Sequence, residues 1–429
     1  MLELTIDSLA FGGNGVGRHD GKAIFVPRSA PGDRLRCRVT RDRGRFAEAE
    51  LTELLEPGPG RRPAPCPVYA ECGGCQWQHL DYPTQCHWKG TVFAEQLWRQ
   101  ARVEKAAVRP LLAAEQEWGY RSRVQFKCRQ TAAGLQLGFY RPNSHFVVDI
   151  AHCPISAPVI NRGLALFRAW LPESPCPDRI PQLDLSVDDR EQLRAVVHCL
   201  DANPQRLADY LRPLALAAGL DLFLQSGRKS SLVQVCGGEE LLIEVDTPPL
   251  QLGYGPGGFA QVNLAQNRAL VAELLTAHPW QGDEAVLDLF CGMGNFSLPL
   301  ARRVKTVTGV EDYAPSIASA RGNARRNGLA NLDFHARPAE GALRTYFPAS
   351  PPILVLLDPP RSGAYAVARE LTTHPPALIA YVSCDPATLA RDLQPLLHGP
   401  FRLLWSRPID LFPQTFHIES LTLLARHEP

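Results

Sequence analysis

The chain has 429 residues, of which 45% are hydrophobic and 21% are charged, so it can hold about three domains with real cores. The net charge of +1 excludes a strong overall electrostatic attraction to nucleic acid, so any basic surface must be local. No apolar run reaches the roughly 18 residues of a membrane span, and the N-terminus lacks the basic region of a secretory signal, so we expect no membrane partner.

Short segments with strand character, separated by Gly and Pro turns, fill residues 1–57 and predict a small β-barrel. Within them, alternation along a strand should place Arg34, Arg36 and Arg38 on one face, with Phe46 nearby. An arginine face beside an aromatic ring suits a nucleic-acid backbone, and the alternative is a solvated strand face.

A linker rich in Pro and Gly, "EPGPGRRPAP", leads into the closely spaced Cys66, Cys72 and Cys75. Clustered cysteines without an export signal favour metal binding over disulfides, and three thiols need a fourth ligand. Cys153 is followed by proline, a common neighbour of cluster ligands, and Cys86 is the main competitor. Four thiolates bind either zinc or an iron–sulfur cluster, and spacing alone does not choose.

Residues 58–260 mix predicted helices and strands, which indicates a central α+β domain. This region carries a second basic stripe formed by Arg121, Arg123, Lys127 and Arg129. We expect the stripe to contribute to an RNA-binding surface.

Residues 261–429 alternate five strand-like segments with helix-length segments, which is the pattern of a parallel, helix-covered α/β sheet. The tail differs, because "FRLLWSRPIDLF" and "HIESLTLLARH" are two strands with no helix between them. A doubly wound sheet with such a hairpin is typical of the class I methyltransferase fold that binds S-adenosylmethionine (SAM), an analogy from fold alone.

The first strand of this region enters a glycine turn in "VLDLFCGMGNFSLPLA", where Gly292 and Gly294 let the backbone approach a ligand. The spacing fits neither dinucleotide nor ATP motifs. Glu311 ends the next strand, where a carboxylate can accept both hydroxyls of a ribose, and Asp358 ends the fourth strand in "LLDPPRSG". The alternative is a tight turn with a surface glutamate. We interpret Cys291, inside the turn, as a packing residue.

Cys384 ends the fifth strand in "YVSCDPATLARDL", and Asp385-Pro386 predicts a helix that begins immediately after it. A helix N-terminus lowers the pKa of a thiol, so we expect a thiolate. A thiolate that adds to C6 of uracil makes C5 nucleophilic enough to take a methyl group from SAM, and a base must then remove the C5 proton. Glu419 in "HIESL" is the candidate base, and His417 is its competitor.

The motifs "FAQVN", "DLFCGMGNFSLPLA", "DPPRSG", "SCDPATLARDL" and "HIESL", with the cysteine cluster and a barrel that looks like a TRAM domain, together resemble the RNA uracil-C5 methyltransferases. The resemblance covers essentially the whole chain. It implies that Cys384 is the nucleophile and Glu419 the base. It also implies that the SAM site is lined by Gln261, Phe290, Asn295, Glu311 and Asp358.

The resemblance further implies a [4Fe–4S] cluster held by Cys66, Cys72, Cys75 and Cys153. One departure concerns Arg337, which stands where such enzymes usually carry Asn or Asp. A guanidinium has no acceptor for an adenine amino group, so Arg337 is left out of the expected site.

The resemblance implies 23S ribosomal RNA, or a large-subunit precursor, as the partner, and the barrel and the cluster favour rRNA. We expect the target uridine to be flipped out of any stack. The alternatives are a uridine of tRNA or another rRNA uridine. From another class, the chain could be a metal-bearing RNA-binding protein without catalysis, which the presence of Cys384, Glu419 and Glu311 argues against. We expect a cytoplasmic monomer.

Overall fold

A computed structural model of the protein describes residues 1–346 and 352–427. The expected C-terminal domain at 261–429 therefore includes two short stretches, 347–351 and 428–429, that lie outside the described residues. The division of the chain after residues 57 and 260 stays a prediction, and the packing described below crosses residue 260.

The N-terminal segment forms a closed barrel in the order β1-β2-β3-β5-β4. Its strands are β1 (Leu2–Leu9), β2 (Gly15–His19), β3 (Lys22–Val26), β4 (Arg34–Asp42) and β5 (Phe46–Glu56). Alternate side chains point inward, and the buried set includes Leu4, Ile6, Ile24, Leu35 and Cys37. The predicted small barrel is confirmed.

The arginine face of β4 is exposed as predicted, but it is already occupied by carboxylates. Arg34 pairs with Glu56 at 2.7 Å, Arg36 pairs with Glu53 at 2.7 Å, and Arg38 pairs with a glutamate of β5. The antiparallel register of β4 and β5 creates these pairs. The contacts therefore favour the alternative interpretation, a solvated and ion-paired strand face, over a surface that binds the phosphates of a nucleic acid.

Helix α1 (Tyr82–Ala101) follows the cysteine segment and begins at Asp81, whose side chain accepts from the backbone N–H of Thr84 at 2.9 Å. Its apolar face does not pack on the central region that surrounds it in sequence. Phe93 and Leu97 instead belong to a core of the C-terminal sheet.

The central region is built on a seven-stranded sheet in the order β12-β11-β10-β9-β6-β7-β8. Its strands and helices in chain order are β6 (Arg123–Thr131), β7 (Gly134–Tyr140), β8 (Val147–Asp149), α2 (Pro158–Trp170), β9 (Gln182–Val187), β10 (Leu193–His198), α3 (Gln205–Ala217), β11 (Asp221–Gln225) and β12 (Val233–Cys236). Helices α2 and α3 bury the apolar face of the sheet.

The opposite face of this sheet is polar. Along β6 the side chains of Val124 and Phe126 enter the core, so Gln125 and Lys127 point to the other side. The basic stripe that the sequence predicts on β6 therefore lies on the face that the helices leave open.

The hairpin β13 (Leu241–Val245) and β14 (Leu250–Tyr254) follows the central sheet. Its buried side chains pack with Met293, Leu298 and Phe334 of the C-terminal region. The hairpin thus covers the glycine turn, although its sequence position falls before residue 261.

The C-terminal sheet has the order β17-β16-β15-β18-β19-β21-β20, with β15 to β19 parallel and β21 antiparallel to both neighbours. Its elements are α4 (Leu264–Leu275), β15 (Ala285–Leu289), α5 (Ser297–Ala301), β16 (Thr306–Glu311), α6 (Ala314–Arg326), β17 (Leu332–Ala336), α7 (Ala342–Tyr346), β18 (Leu354–Leu357), α8 (Tyr365–Thr373), β19 (Leu378–Ser383), α9 (Pro386–Leu397), β20 (Phe401–Ile409) and β21 (Glu419–Arg426). The predicted doubly wound sheet with a terminal hairpin is confirmed. None of the described helices is both long enough and apolar enough to cross a bilayer.

Candidate active site

A cavity of about 730 Å³ opens at the carboxyl ends of the parallel strands. This is where ligands bind in open α/β sheets. The structure brings together seven residues that the sequence singles out, since all of them line this cavity: Gln261, Phe290, Asn295, Glu311, Asp358, Cys384 and Glu419.

The glycine turn after β15 shapes one wall of the cavity. Phe290 has a φ of 65° and Gly292 a φ of 55°, a left-handed conformation that costs energy at a residue other than glycine. A Cβ added at Gly292 would meet nothing within 4 Å, so the backbone there faces open space. Asn295, at the end of the turn, exchanges two hydrogen bonds with Asn267 at 2.8 and 3.0 Å. This strained and open turn fits close approach of a cofactor such as SAM.

Three carboxyl groups lie at or near the floor of the cavity. Glu311 accepts a hydrogen bond from the backbone N–H of Tyr313 at 2.9 Å, and burial raises its pKa. Burial, together with the charge of Glu311, raises the pKa of Asp358 to about 7. Burial raises the pKa of Asp288 to about 8, although the Ser297 hydroxyl donates to it. The floor of the cavity therefore favours a positively charged ligand, because such a ligand would stabilise these carboxylates.

Cys384 lies between β19 and α9, as the sequence predicts. Asp385 caps α9 by accepting from the N–H groups of Ala387 and Thr388 at 2.9 and 3.1 Å. The expectation of a thiolate is wrong for the ligand-free protein. Burial, and then the charges of Glu419, Asp358 and Asp385, raise the pKa of Cys384 to about 12. Burial first, and then the nearby carboxylates, outweigh the effect of the helix N-terminus on this thiol.

Glu419 is the first residue of β21 and is buried, with 3% of its surface exposed. The antiparallel register pairs Ser383 with Ser420, so the next residues along each strand, Cys384 and Glu419, face each other across the pair. Burial and the charge of Asp358 raise the pKa of Glu419 well above its usual range. The structure thus places a carboxyl group beside the thiol.

His417, the competing base, points into an aromatic cluster. Its ring lies 4.4 Å from that of Phe416 and 5.8 Å from that of Phe412. Burial and nearby cations lower its pKa to about 4. Among the described residues that line the cavity, Glu419 is present and His417 is not.

Other side chains that line the cavity are harder to identify from the sequence. Phe259 and Phe412 both line it, and Phe259 is 63% exposed. Their positions in "FAQVN" and "DLFPQ" could have suggested that they line the site. An aromatic residue alone, however, does not indicate whether it belongs to a cavity wall or to a hydrophobic core. Arg361 also lines the cavity and lies 3.4 Å from Asp385. Arg337 packs against the Tyr346 ring at 5.6 Å instead of entering the cavity.

A second cavity is lined by the predicted metal ligands Cys66, Cys72, Cys75 and Cys153. Burial raises the pKa of Cys72 to about 11 and that of Cys75 to about 12, and each thiolate would also repel the others. Cys86 lies on α1, where it contacts the hydroxyl of Tyr82 instead. Over the described ranges, no group of three or more His, Cys, Asp or Glu side chains is arranged as a metal site. The four sulfurs share one cavity but do not form a ready ligand set.

The basic stripe of β6 divides into two pairs. Arg121 and Arg123 turn to backbone carbonyls, at 3.2 Å and 2.8 Å. Lys127 lies over the ring of Tyr140 at 5.8 Å, and Arg129 lies over the ring of Phe146 at 5.1 Å. Phe146 is 61% exposed. We call Lys127, Arg129, Tyr140 and Phe146 the aromatic-basic patch, a combination that suits stacked bases and phosphates.

Comparison with known proteins agrees with this geometry. Family models match residues 1–52 as a TRAM domain, residues 281–348 as a methyltransferase domain and residues 351–427 as tRNA (Uracil-5-)-methyltransferase.

Among curated relatives, the 23S rRNA (uracil(1939)-C(5))-methyltransferase RlmD of Alkalilimnicola ehrlichii is 36% identical over 99% of this chain and 96% of its own. The enzyme of the same name from Chromohalobacter salexigens is 37% identical over 99% and 90%. A crystal structure of the Pyrococcus abyssi tRNA (uracil-54, C5)-methyltransferase superposes with a TM-score of 0.75 at 24% identity, covering 99% of this chain and 100% of that one. That likeness supports the fold.

Proposed function

The chain belongs to the family of RNA uracil-C5 methyltransferases, and from that premise we propose that it methylates C5 of a uridine in 23S ribosomal RNA with SAM as methyl donor. One observation carries the proposal: Cys384, Glu419 and the five expected cofactor residues line a single cavity. Full-length similarity to relatives named for 23S rRNA favours that substrate over tRNA. That the protein acts as a cytoplasmic monomer stays a prediction.

Cys384 supplies the nucleophile. Its sulfur bonds to C6 of the uracil ring and loses its proton, which leaves C5 electron-rich enough to accept a methyl group. SAM, when bound, supplies an electrophilic methyl and a positive charge. Glu419 then takes the proton from C5, and the bond between Cys384 and C6 breaks. Glu419 must be ionised for that step, and burial, which raises the pKa of Glu419, opposes that ionisation.

The expected cofactor residues have separate tasks in this proposal. Glu311 accepts the ribose hydroxyls, because it ends the strand next to the glycine turn. The turn at Phe290 and Gly292 lets the backbone approach the ligand, and Gln261 and Asn295 also line the cavity. Asp358 lies beside the reacting groups, since its charge acts on both Cys384 and Glu419.

The cysteine cavity would hold a [4Fe–4S] cluster. Its four thiols are the donor set that such a cluster requires, and the apolar residues Phe139, Ile150 and Ile155 are among the other residues that line the cavity. The ligands would tie the segment after the linker to the central sheet, because Cys153 follows β8 while the other three precede α1. Iron and sulfide analysis of protein purified without oxygen tests this, with Cys72→Ser as the depleted comparison.

The aromatic-basic patch and the polar face of the central sheet would receive the RNA. The target base must leave its stack to reach Cys384, which is half-buried in the cavity, so a loop or single-stranded region is the expected substrate. The barrel adds contacts outside the ion-paired face of β4.

The function is tested with a 23S rRNA transcript and labelled SAM. We expect wild-type protein to transfer methyl groups, Cys384→Ala to transfer none, and Cys236→Ala, a half-buried cysteine on β12, to match wild type. A transcript carrying 5-fluorouridine should form a covalent complex that survives denaturing electrophoresis, because fluorine cannot be removed as a proton. Methyl transfer by Cys384→Ala at the wild-type rate would refute the mechanism.

A further inference from the structure

The loop that joins β20 to β21, residues 410–418, leads directly into Glu419. Its Phe412 lines the same cavity as Glu419. Five consecutive backbone carbonyls of the loop, from residue 410 to residue 414, each accept a hydrogen bond from a segment that is distant in sequence. Connecting loops usually lie at the surface and are more mobile than the elements they join. In this loop, by contrast, each of the five consecutive carbonyls is fixed by a hydrogen bond.

The donors come from four parts of the chain: the start of α4, helix α1, the segment before β6 and the segment just after Cys75. In the order of the acceptors they are Gln266 Nε2 at 3.1 Å, Asn263 Nδ2 at 3.3 Å, Lys89 Nζ at 3.0 Å, the Tyr120 hydroxyl at 2.9 Å, and the backbone N–H groups of Gln76 and Trp77 at 3.1 and 3.0 Å. Parts of the molecule outside the C-terminal sheet therefore fix a loop of its active site.

Gln414 has the largest share of these bonds. It is fully buried and has a φ of 70°, a conformation that residues other than glycine rarely adopt. Its backbone N–H donates to Gln85 Oε1 at 2.9 Å, and its side-chain oxygen accepts from Gln85 at 3.0 Å and from Arg62 at 3.2 Å. Its side-chain nitrogen donates to Glu117 at 3.0 Å. These contacts on every polar group retain the unusual conformation.

A buried ion pair secures the start of the loop. Lys89 Nζ and Asp410 Oδ1 lie 2.7 Å apart, and both side chains are fully buried. The Tyr82 hydroxyl donates to the other oxygen of Asp410 at 3.1 Å. Separating these two buried charges would leave each without a partner in the protein interior, which is costly, so the pair fixes Asp410 relative to helix α1.

We propose that the 410–418 loop, held through Gln414, positions Glu419 for removal of the C5 proton. Gln414 is thus a positioning residue for the second half of the reaction. This inference rests on the function proposed above, in which Glu419 resolves the covalent bond between Cys384 and RNA.

The two reacting groups share the pairing of β19 with β21 but differ in their other contacts. Glu419 begins β21 immediately after the loop, and its backbone pairs with Ile409 on the other side of the loop. The segment that carries Cys384 is held in addition by the pairing of β19 with β18 and by the cap at Asp385, and neither of these involves the loop. Loosening the loop should therefore displace the base more than the nucleophile. Addition to C6 continues, proton removal slows, and the covalent adduct accumulates.

The test uses full-length protein, a natural uridine transcript and SAM, with the reaction stopped in detergent. For Gln414→Ala we expect kcat to fall about 10- to 100-fold, the scale of a catalytic group misplaced by about 1 Å. We expect KM and SAM affinity to change less than about twofold, and adduct to reach several times the wild-type level. Tyr120→Phe, which removes one donor and keeps the ring, should move in the same direction by less. Gln205→Ala, an exposed glutamine on α3, is the matched control.

Glu419→Gln separates this inference from the proposed function. If Glu419→Gln forms no adduct, the proposed function fails. If Glu419→Gln accumulates adduct while Gln414→Ala and Tyr120→Phe do not, only the positioning role is overturned. A fall in thermal stability without adduct would likewise mean a structural role alone. Should Gln414→Ala fail to fold, Tyr120→Phe decides by the same criterion.

Discussion

The raised pKa of Cys384 leads to a specific prediction about how ligand charge controls its reactivity. The thiol has a pKa of about 12, so at pH 8 only about one sulfur in ten thousand is a thiolate. A positive charge within about 4–6 Å lowers the pKa of an acid by about 1–3. A cationic ligand in the cavity should therefore increase the thiolate fraction about 10- to 1,000-fold.

The charge is isolated by comparing two cofactor analogues of nearly the same shape. Sinefungin carries an amine, protonated at neutral pH, at the position of the sulfonium of SAM, whereas S-adenosylhomocysteine is neutral. We expect iodoacetamide to alkylate Cys384 at least about tenfold faster in the sinefungin complex than in the S-adenosylhomocysteine complex. Sinefungin carries a group at the position of the methyl of SAM, which S-adenosylhomocysteine lacks. Steric shielding would therefore slow alkylation in the sinefungin complex, so a faster rate there reports the lower pKa.

The assay follows the peptide that contains Cys384 by mass spectrometry over time. Cys236, half-buried on β12, serves as the internal control in the same digest and should react at the same rate in both complexes at any one pH. In both complexes the rate at Cys384 should rise about tenfold for each unit of pH between 7 and 9, because the pKa lies higher. Equal rates with the two analogues would show that ligand charge does not control the reactivity of this thiol.

Three further predictions concern cofactor, RNA and stability. Glu311→Gln should weaken SAM binding about 10- to 100-fold by calorimetry, because a charged hydrogen-bond acceptor is lost, and an unchanged Kd would exclude its ribose role. Replacing Phe146 and Arg129 with alanine should weaken RNA binding at least about tenfold in a filter assay while SAM affinity stays constant. Lys89→Met should destabilise the fold by about 3–5 kcal/mol in urea unfolding, since Asp410 is left buried and unpaired, and adding Asp410→Leu should recover most of the loss.

The sequence predicts the C-terminal fold well because its signals are local. Apolar runs that end in Glu311, Asp358 and Cys384 mark the strands and the edge where the site forms. A short glycine turn and a capped helix are equally visible. The position of each group at the sheet edge follows from these patterns and from the rule that parallel strands end at one edge.

What the sequence does not give is the influence of groups brought close by folding. The pKa of Cys384 depends on Glu419 and Asp358, which come from other strands. In the same way, the arginines of β4 meet glutamates only through the register of the barrel. The anchoring of Gln414 depends on contacts with residues more than 290 positions away, such as Glu117 and Gln85. Contacts between residues so far apart in the chain produce no local pattern that the sequence would reveal.

The packing of α1 bears on how the protein matures during synthesis. Phe93 and Leu97 leave the ribosome early, but their partners Leu389 and Leu393 on α9 follow almost 300 residues later. At about 5–20 residues per second, the helix waits roughly 15–60 s with its apolar side uncovered. Nascent chains should therefore recruit a holding chaperone at this helix. The C-terminal half expressed alone should expose the apolar surface that α1 normally covers, and it should aggregate.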